Sequence, residues 1–137
     1  MTEEERYDAF QEKMESKYPK MFSEGYGGFC AGEGWWSIIE FLCGNIQDHI
    51  DWKNEQFEKY NRGNRVKQVV VQQIKEKFGG LRFYYDGGDD EISGMVRIAE
   101  AMAGVTCEVC GAPGKSRSTG WVRTLCDEHA KNLPINS

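Results

Sequence analysis

Apolar positions recur with a helical period near the start of the chain. Tyr7, Phe10, Met14 and Tyr18 fall three or four residues apart, the spacing that lines one face of an α-helix. Glu4, Asp8, Gln11, Glu12 and Glu15 occupy the opposite, wet face. Thr2 with Glu5 three residues later reads as a capping box, and Pro19 ends the helix. A longer helix is predicted over 35–60. There Ile39, Leu42, Cys43, Ile46, Ile50, Phe57 and Tyr60 mark one stripe. Cys43 lies inside that stripe and reads as a small buried hydrophobe. His49 borders it and reads as a core or boundary histidine. The period then changes. Residues 66–78, centred on Val69-Val70-Val71, predict a strand, Phe78-Gly79-Gly80 a turn, and 81–85 the returning strand. Alternation puts Val70, Ile74 and Phe78 on one face, with Leu81, Phe83 and Tyr85 on the return. Lys67, Gln73, Lys75, Lys77, Arg82 and Tyr84 take the other face, either solvated or turned to nucleic acid. Asp89 or Asp90 caps a helix over 91–103. Its apolar face is Ile92, Met95, Val96, Ala99, Met102 and Ala103, and Gly104 closes it.

Between the first two helices, 21–34 is a loop with Gly25, Gly27, Gly28, Gly32 and Gly34. It lacks the Lys-Ser/Thr of a phosphate loop, follows a helix rather than a strand, and carries Glu24 and Glu33. It reads as a connection needing unusual backbone angles and close backbone approach. The acids of 86–90 lack the alternating ligands of a calcium loop. The tail 132–137 reads as a frayed end.

The last third carries the chemistry. Cys107 and Cys110, then Cys126 and His129, form two pairs of C-x2-C and C-x2-H type, separated by fifteen residues. Thiolate and imidazole at this spacing suit tetrahedral zinc. Four ligands fill the shell, so a single structural ion per chain is expected, and Glu108 and Asp127 beside the ligands read as solvated acids. Residues 115–125 predict a hairpin turning at Ser118-Thr119-Gly120, and a helix begins near Cys126 with acids in its first turn. Knuckle, hairpin and helix follow in the order of a treble-clef finger. The H-x-E and P-C-x-x-C of zinc deaminases are missing, and the hairpin has no His to serve as a general base.

The fold class expected is α+β: helices packed on a β-hairpin, followed by a C-terminal treble-clef-like zinc finger. Residues 1–104 would form the α+β domain and 105–137 a zinc module packed against it. With 137 residues, net charge −5 and pI near 5.1, the chain has no overall footprint for duplex DNA. Residues 1–62 hold 13 acids and 7 bases, whereas 63–137 hold 9 and 10. Cys30 and Cys43 beside a thiolate zinc site point to a reducing compartment. The first residues show neither the basic nor the apolar region of a secretory signal, and no apolar run is long enough to span a bilayer. A cytoplasmic location without a membrane partner is expected.

Gly34-Trp35-Trp36 leading into Leu42-Cys43, the run Gln73-Ile74-Lys75-Glu76-Lys77-Phe78-Gly79-Gly80-Leu81-Arg82-Phe83-Tyr84-Tyr85, and Cys107-Glu108-Val109-Cys110-Gly111, Gly120-Trp121 and Thr124-Leu125-Cys126-Asp127-Glu128-His129 resemble a group of small proteins encoded by bacteriophages and prophages. The resemblance spans roughly residues 20–131. It implies an origin in a phage and a zinc finger, not a reaction. The expectation is a non-enzymatic zinc-binding protein with a protein partner in the bacterial host cytoplasm, as in an inhibitor of a host defence or nuclease system. Trp35 and Trp36 are partner-binding candidates, one of them core, as are Lys115, Arg117, Trp121 and Arg123 on the zinc hairpin. The alternative is a nucleic-acid-binding finger, in which those bases meet phosphates and Trp121 stacks on a base. A charge-compensating role for the hairpin bases competes with both, because three thiolates leave the zinc site negative.

Overall fold

A computed structural model describes residues 1–23, 26–118 and 120–131; Thr119 of the expected hairpin turn and the tail 132–137 lie outside the described residues. The chain is mixed α+β. Its elements run α1 (Glu3–Lys17), β1 (Phe29–Cys30), a 3-10 turn (Glu33–Trp35), α2 (Trp36–Tyr60), β2 (Val70–Lys77), β3 (Gly80–Asp86), α3 (Asp90–Ala103), β4 (Lys115–Ser118), β5 (Val122–Leu125) and α4 (Asp127–Ala130). The helices start where their caps dictate. Thr2 Oγ1 accepts from the Glu5 N–H at 3.1 Å, and Asp89 Oδ1 accepts from the Ile92 N–H at 3.0 Å. Asn61, in the left-handed region at φ 51°, ends α2.

The first sheet has three strands in the order β1-β2-β3. β2 and β3 form the expected hairpin. β1, inside the glycine-rich loop, was not expected from the sequence; it pairs parallel to β2, Phe29 opposite Ile74. The face assignment needs correction. A bulge between Val71 and Gln73 lets Val71 and Ile74, three residues apart, both reach the core, and both are buried. Val70 is only half-buried. Phe78 does not continue the buried face. It sits in the two-residue turn Phe78-Gly79, both residues at positive φ (53° and 80°), and is 77 % exposed. This is the mirror-image turn geometry that matches strand twist, and the Glu76 carboxylate accepts from the Gly79 N–H at 2.7 Å.

One core joins α1, α2, α3 and the sheet. Phe10 and Met14 of α1, Ile39, Cys43, Ile46 and Ile50 of α2, Val71, Ile74, Leu81 and Phe83 of the sheet, and Ile92, Val96 and Ala99 of α3 are buried together. Trp36 stacks on Phe10 with centroids 4.6 Å apart and planes 8° apart. Met102, expected on the buried face of α3, is instead 51 % exposed. α2 and α3 lie against each other, and His49 of α2 meets the start of α3. Its Nε2 is 2.8 Å from Asp89 Oδ2, and its Nδ1 is 3.4 Å from Glu91 Oε2. Among the described residues, no helix is long and apolar enough to cross a membrane.

Asp89 thus caps one helix and ties it to another. Partial burial disfavours its carboxylate, but the hydrogen bonds from His49 and the Ile92 N–H outweigh this and hold its pKa below the usual range. A carboxyl whose pKa is lower folded than unfolded stabilises above its unfolded value, about 3.9, and loses that contribution as pH falls through the folded value. Asp89→Ala should lower stability by about 1–2 kcal/mol at neutral pH, read by urea unfolding. The gap between variant and parent should close as the pH falls below about 4.

Candidate metal centre and its surroundings

Cys107 and Cys110 sit on a tight knuckle just after α3. The Gly111 N–H donates to the Cys107 carbonyl at 2.9 Å, the Cys107 N–H donates to the Ala112 carbonyl at 2.7 Å, and Gly111 takes φ 83°. Cys126 and His129 come from the start of α4, where the Cys126 sulfur caps the helix and accepts from the His129 N–H. The β4-β5 hairpin, paired Lys115–Leu125 through Ser118–Val122, carries the second pair back to the first. The four ligand atoms lie within 4.8 Å of one another. Cys110 Sγ is 3.8 Å from Cys126 Sγ, and His129 Nδ1 is 3.6 Å from Cys107 Sγ and 3.3 Å from Cys126 Sγ. Bond lengths of about 2.3 Å to sulfur and 2.0–2.1 Å to nitrogen put tetrahedral edges at about 3.8 Å (S–S) and about 3.6 Å (S–N). The donor set and its spacing therefore fit one metal ion, and the ligand chemistry is that of zinc.

The local field favours thiolate at one corner. Burial opposes ionisation of Cys107, but hydrogen bonds from the backbone of Cys126, Cys110 and Val109 and from the Cys110 thiol outweigh it, and its pKa falls to about 6. Cys110 moves upward. The Ala112 N–H favours its thiolate, but desolvation and the neighbouring Cys107 and Cys126 sulfurs oppose a second negative charge. A cation among the sulfurs removes that conflict.

The glycine-rich loop meets this knuckle. The Gly34 N–H donates to the Glu108 carbonyl at 2.7 Å, the Gly32 N–H donates to Glu108 Oε2 at 3.2 Å, and the Trp35 indole N–H donates to the Thr106 carbonyl at 2.8 Å. A Cβ on Gly34 would collide with the Cys107 carbonyl oxygen and fall 2.6 Å from the Gly111 nitrogen. On its other side the centre meets the β2-β3 turn, where the buried Thr124 hydroxyl donates to the Gly79 carbonyl at 2.7 Å.

Several candidate residues change standing here. Trp35 is fully buried and cannot anchor a partner; it is the wedge between α2 and the knuckle. Trp36 is half-buried against Phe10, its indole N–H on the Ala31 carbonyl at 2.9 Å. Glu108 is not a solvated acid. It is buried, and burial pushes its carboxyl pKa upward against the Gly32 N–H and Arg123. Asp127 is exposed and pairs with Arg117 at 2.7 Å, while Arg123 faces Glu108 at 3.8 Å. Lys115 and Trp121 are exposed, Trp121 at 72 %. Cys43 is buried in α2, and burial pushes its thiol pKa upward.

A second feature was not read from the sequence. Between α2 and α3 runs an open groove of about 410 Å³, lined by Ile38, Phe41, Leu42, Met95, Ile98 and Met102 among others. Phe41 is 72 % and Ile98 63 % exposed. The available signal was that Phe41 and Ile98 are apolar yet fall outside the stripes of their own helices. No protein-family model, curated protein or solved structure matches the chain.

Gly34→Ala should cost about 3 kcal/mol or more through forced overpacking. Gly94→Ala, where a methyl meets open space in the middle of α3, should stabilise by about 0.5–1 kcal/mol. Chemical denaturation of the two variants checks both. Cys126→Ser should lose the metal and lower the melting midpoint, since binding energy at such a site is folding energy. Cys43→Ser should keep one zinc per chain by native mass spectrometry.

Proposed function

We propose that the chain is a non-enzymatic, zinc-stabilised protein that binds a protein partner through the groove between α2 and α3. The observation that carries this reading is the groove itself: the large apolar side chains Phe41, Ile98 and Met102 are left exposed along one surface between two helices. Exposed apolar surface of this kind marks interaction sites. In this reading zinc is structural, because three thiolates and an imidazole complete its shell. The finger is treble-clef-like, with knuckle, β4-β5 hairpin and α4 in that order, and the helices and hairpin of the first hundred residues form the platform it locks. The resemblance to phage and prophage proteins makes a bacterial host complex in the cytoplasm the partner, and inhibition of a defence or nuclease system the role.

A nucleic-acid surface is the second reading. Its specific support is the exposure of Trp121 and Phe78 at adjoining turns, with Lys77 over the Phe78 ring at 5.9 Å. Against it, Arg117 and Arg123 already face the carboxylates of Asp127 and Glu108.

A photo-crosslinking residue placed at Phe41, at Trp121 or at Glu12 on α1 separates these readings in bacterial cells. Protein adducts at position 41 and none at 12 are expected, with no gel shift of RNA or DNA at low salt. A shift that strengthens as salt falls, together with adducts to nucleic acid at 121, would replace the first reading by the second.

A further inference from the structure

We infer that the α2/α3 groove takes a single amphipathic helix of the partner, with basic residues along its flank. This rests on the protein-binding reading above and names the kind of partner. The groove runs between two packed helices, from Asn45 and Met95 at one end to Ile38 and Met102 at the other. Asn45 lies seven positions after Ile38 on α2, about 10 Å of helix. That length accepts about two turns, hence side chains at i, i+3 or i+4, and i+7 of an incoming helix. Phe41 and Ile98 rise on opposite banks and would clasp its apolar stripe.

Charge selects the occupant. Among the described residues, no Lys or Arg lines the groove. Asp48 borders the adjoining hollow with Phe41 and Asn45. Glu91 lies one turn before Met95 on α3, with its side chain 68 % exposed. The far side of that hollow differs: Lys13 and Lys17 share the single Glu40 carboxylate at 3.1 Å each, so the acidic surface is confined to the Asp48–Glu91 end. Arg97 points from another side of α3, since positions 97 and 98 differ by about 100° around the helix. The rim at the Asn45–Met95 end is therefore acidic. A second copy of this chain would bring the same acids against themselves, in a protein of net charge −5. A helix with Lys or Arg beside its apolar stripe meets them favourably.

The probe is a pair of labelled peptides of about 18 residues, Leu at i, i+3, i+4 and i+7, flanked in one by Lys and in its twin by Glu. Fluorescence anisotropy measures each against the metal-loaded protein. The Lys peptide should bind at least tenfold tighter than its Glu twin, with the gap narrowing as salt rises. Ile98→Glu and Phe41→Glu, both at exposed positions, should each weaken it at least tenfold with melting midpoints unchanged, while Trp121→Ala leaves it unaltered. Equal affinity of the twins, absence of binding, or insensitivity to both groove variants overturns the inference. So does a dimer in sedimentation that Ile98→Glu dissolves, which would make a second copy the occupant. The two proposals fail separately. Crosslinks to a protein at Phe41 with no peptide binding keep the groove and remove the basic helix. Protein crosslinks at Trp121 alone keep partner binding and remove the groove.

Discussion

The contact between the Gly32–Trp35 turn and the Cys107–Cys110 knuckle is the constraint on which the rest of the structure depends. Two backbone segments approach so closely that only hydrogen atoms fit at Gly34. Three hydrogen bonds fix the approach, from the N–H groups of Gly32 and Gly34 and from the Trp35 indole. Because Trp35 begins the approach to α2 and Thr106 follows α3, this one contact sets how both long helices meet the metal centre. The energetic logic is that of a small fold. Its second sheet has only two short strands, and its own buried cluster is Cys107, Leu125 and Cys126. So small a core needs a metal, a docking surface, or both.

The same contact gives Glu108 its place. A carboxylate buried beside a thiolate centre would be costly in isolation. Here the Gly32 N–H and Arg123 compensate it, and among the described residues no buried side-chain nitrogen or oxygen lacks a partner. Polar groups are thus spent on joining the centre to the α+β platform, and the hairpin arginines are spent on its acids. The α2/α3 groove is lined by none of the residues that make these polar ties, and its side chains are held by two helices whose inner faces are engaged in the core. Binding there would cost little reorganisation, because both banks are fixed by packing.

Much of this was legible along the chain. Helix periods, the Thr2 and Asp89 caps, the β2-β3 hairpin and the Cys107, Cys110, Cys126 and His129 set are local signals: each arises from neighbours a few residues apart, or from a pair spacing that suits a metal. Strict alternation put Val70 and Phe78 on one face with Ile74, but the bulge at Val71/Gln73 replaces Val70 by Val71, and the turn ejects Phe78 into water. The glycine loop carried no periodic signal, so β1 was invisible until β2 offered it an edge.

Sequence by itself determined the helices, the two hairpins and the candidate ligand set Cys107, Cys110, Cys126 and His129, because propensity, capping and ligand spacing are short-range properties. Only the tertiary structure decided which polar and apolar side chains were left over. Burial depends on what the fold places opposite a residue, so Trp35 became a wedge, Glu108 a buried strut, and Phe41, Ile98 and Met102 the walls of a groove. Those three lie on two helices separated by the whole β2-β3 hairpin. No pattern within either helix could show that they share a surface, because their proximity is created by packing across the core.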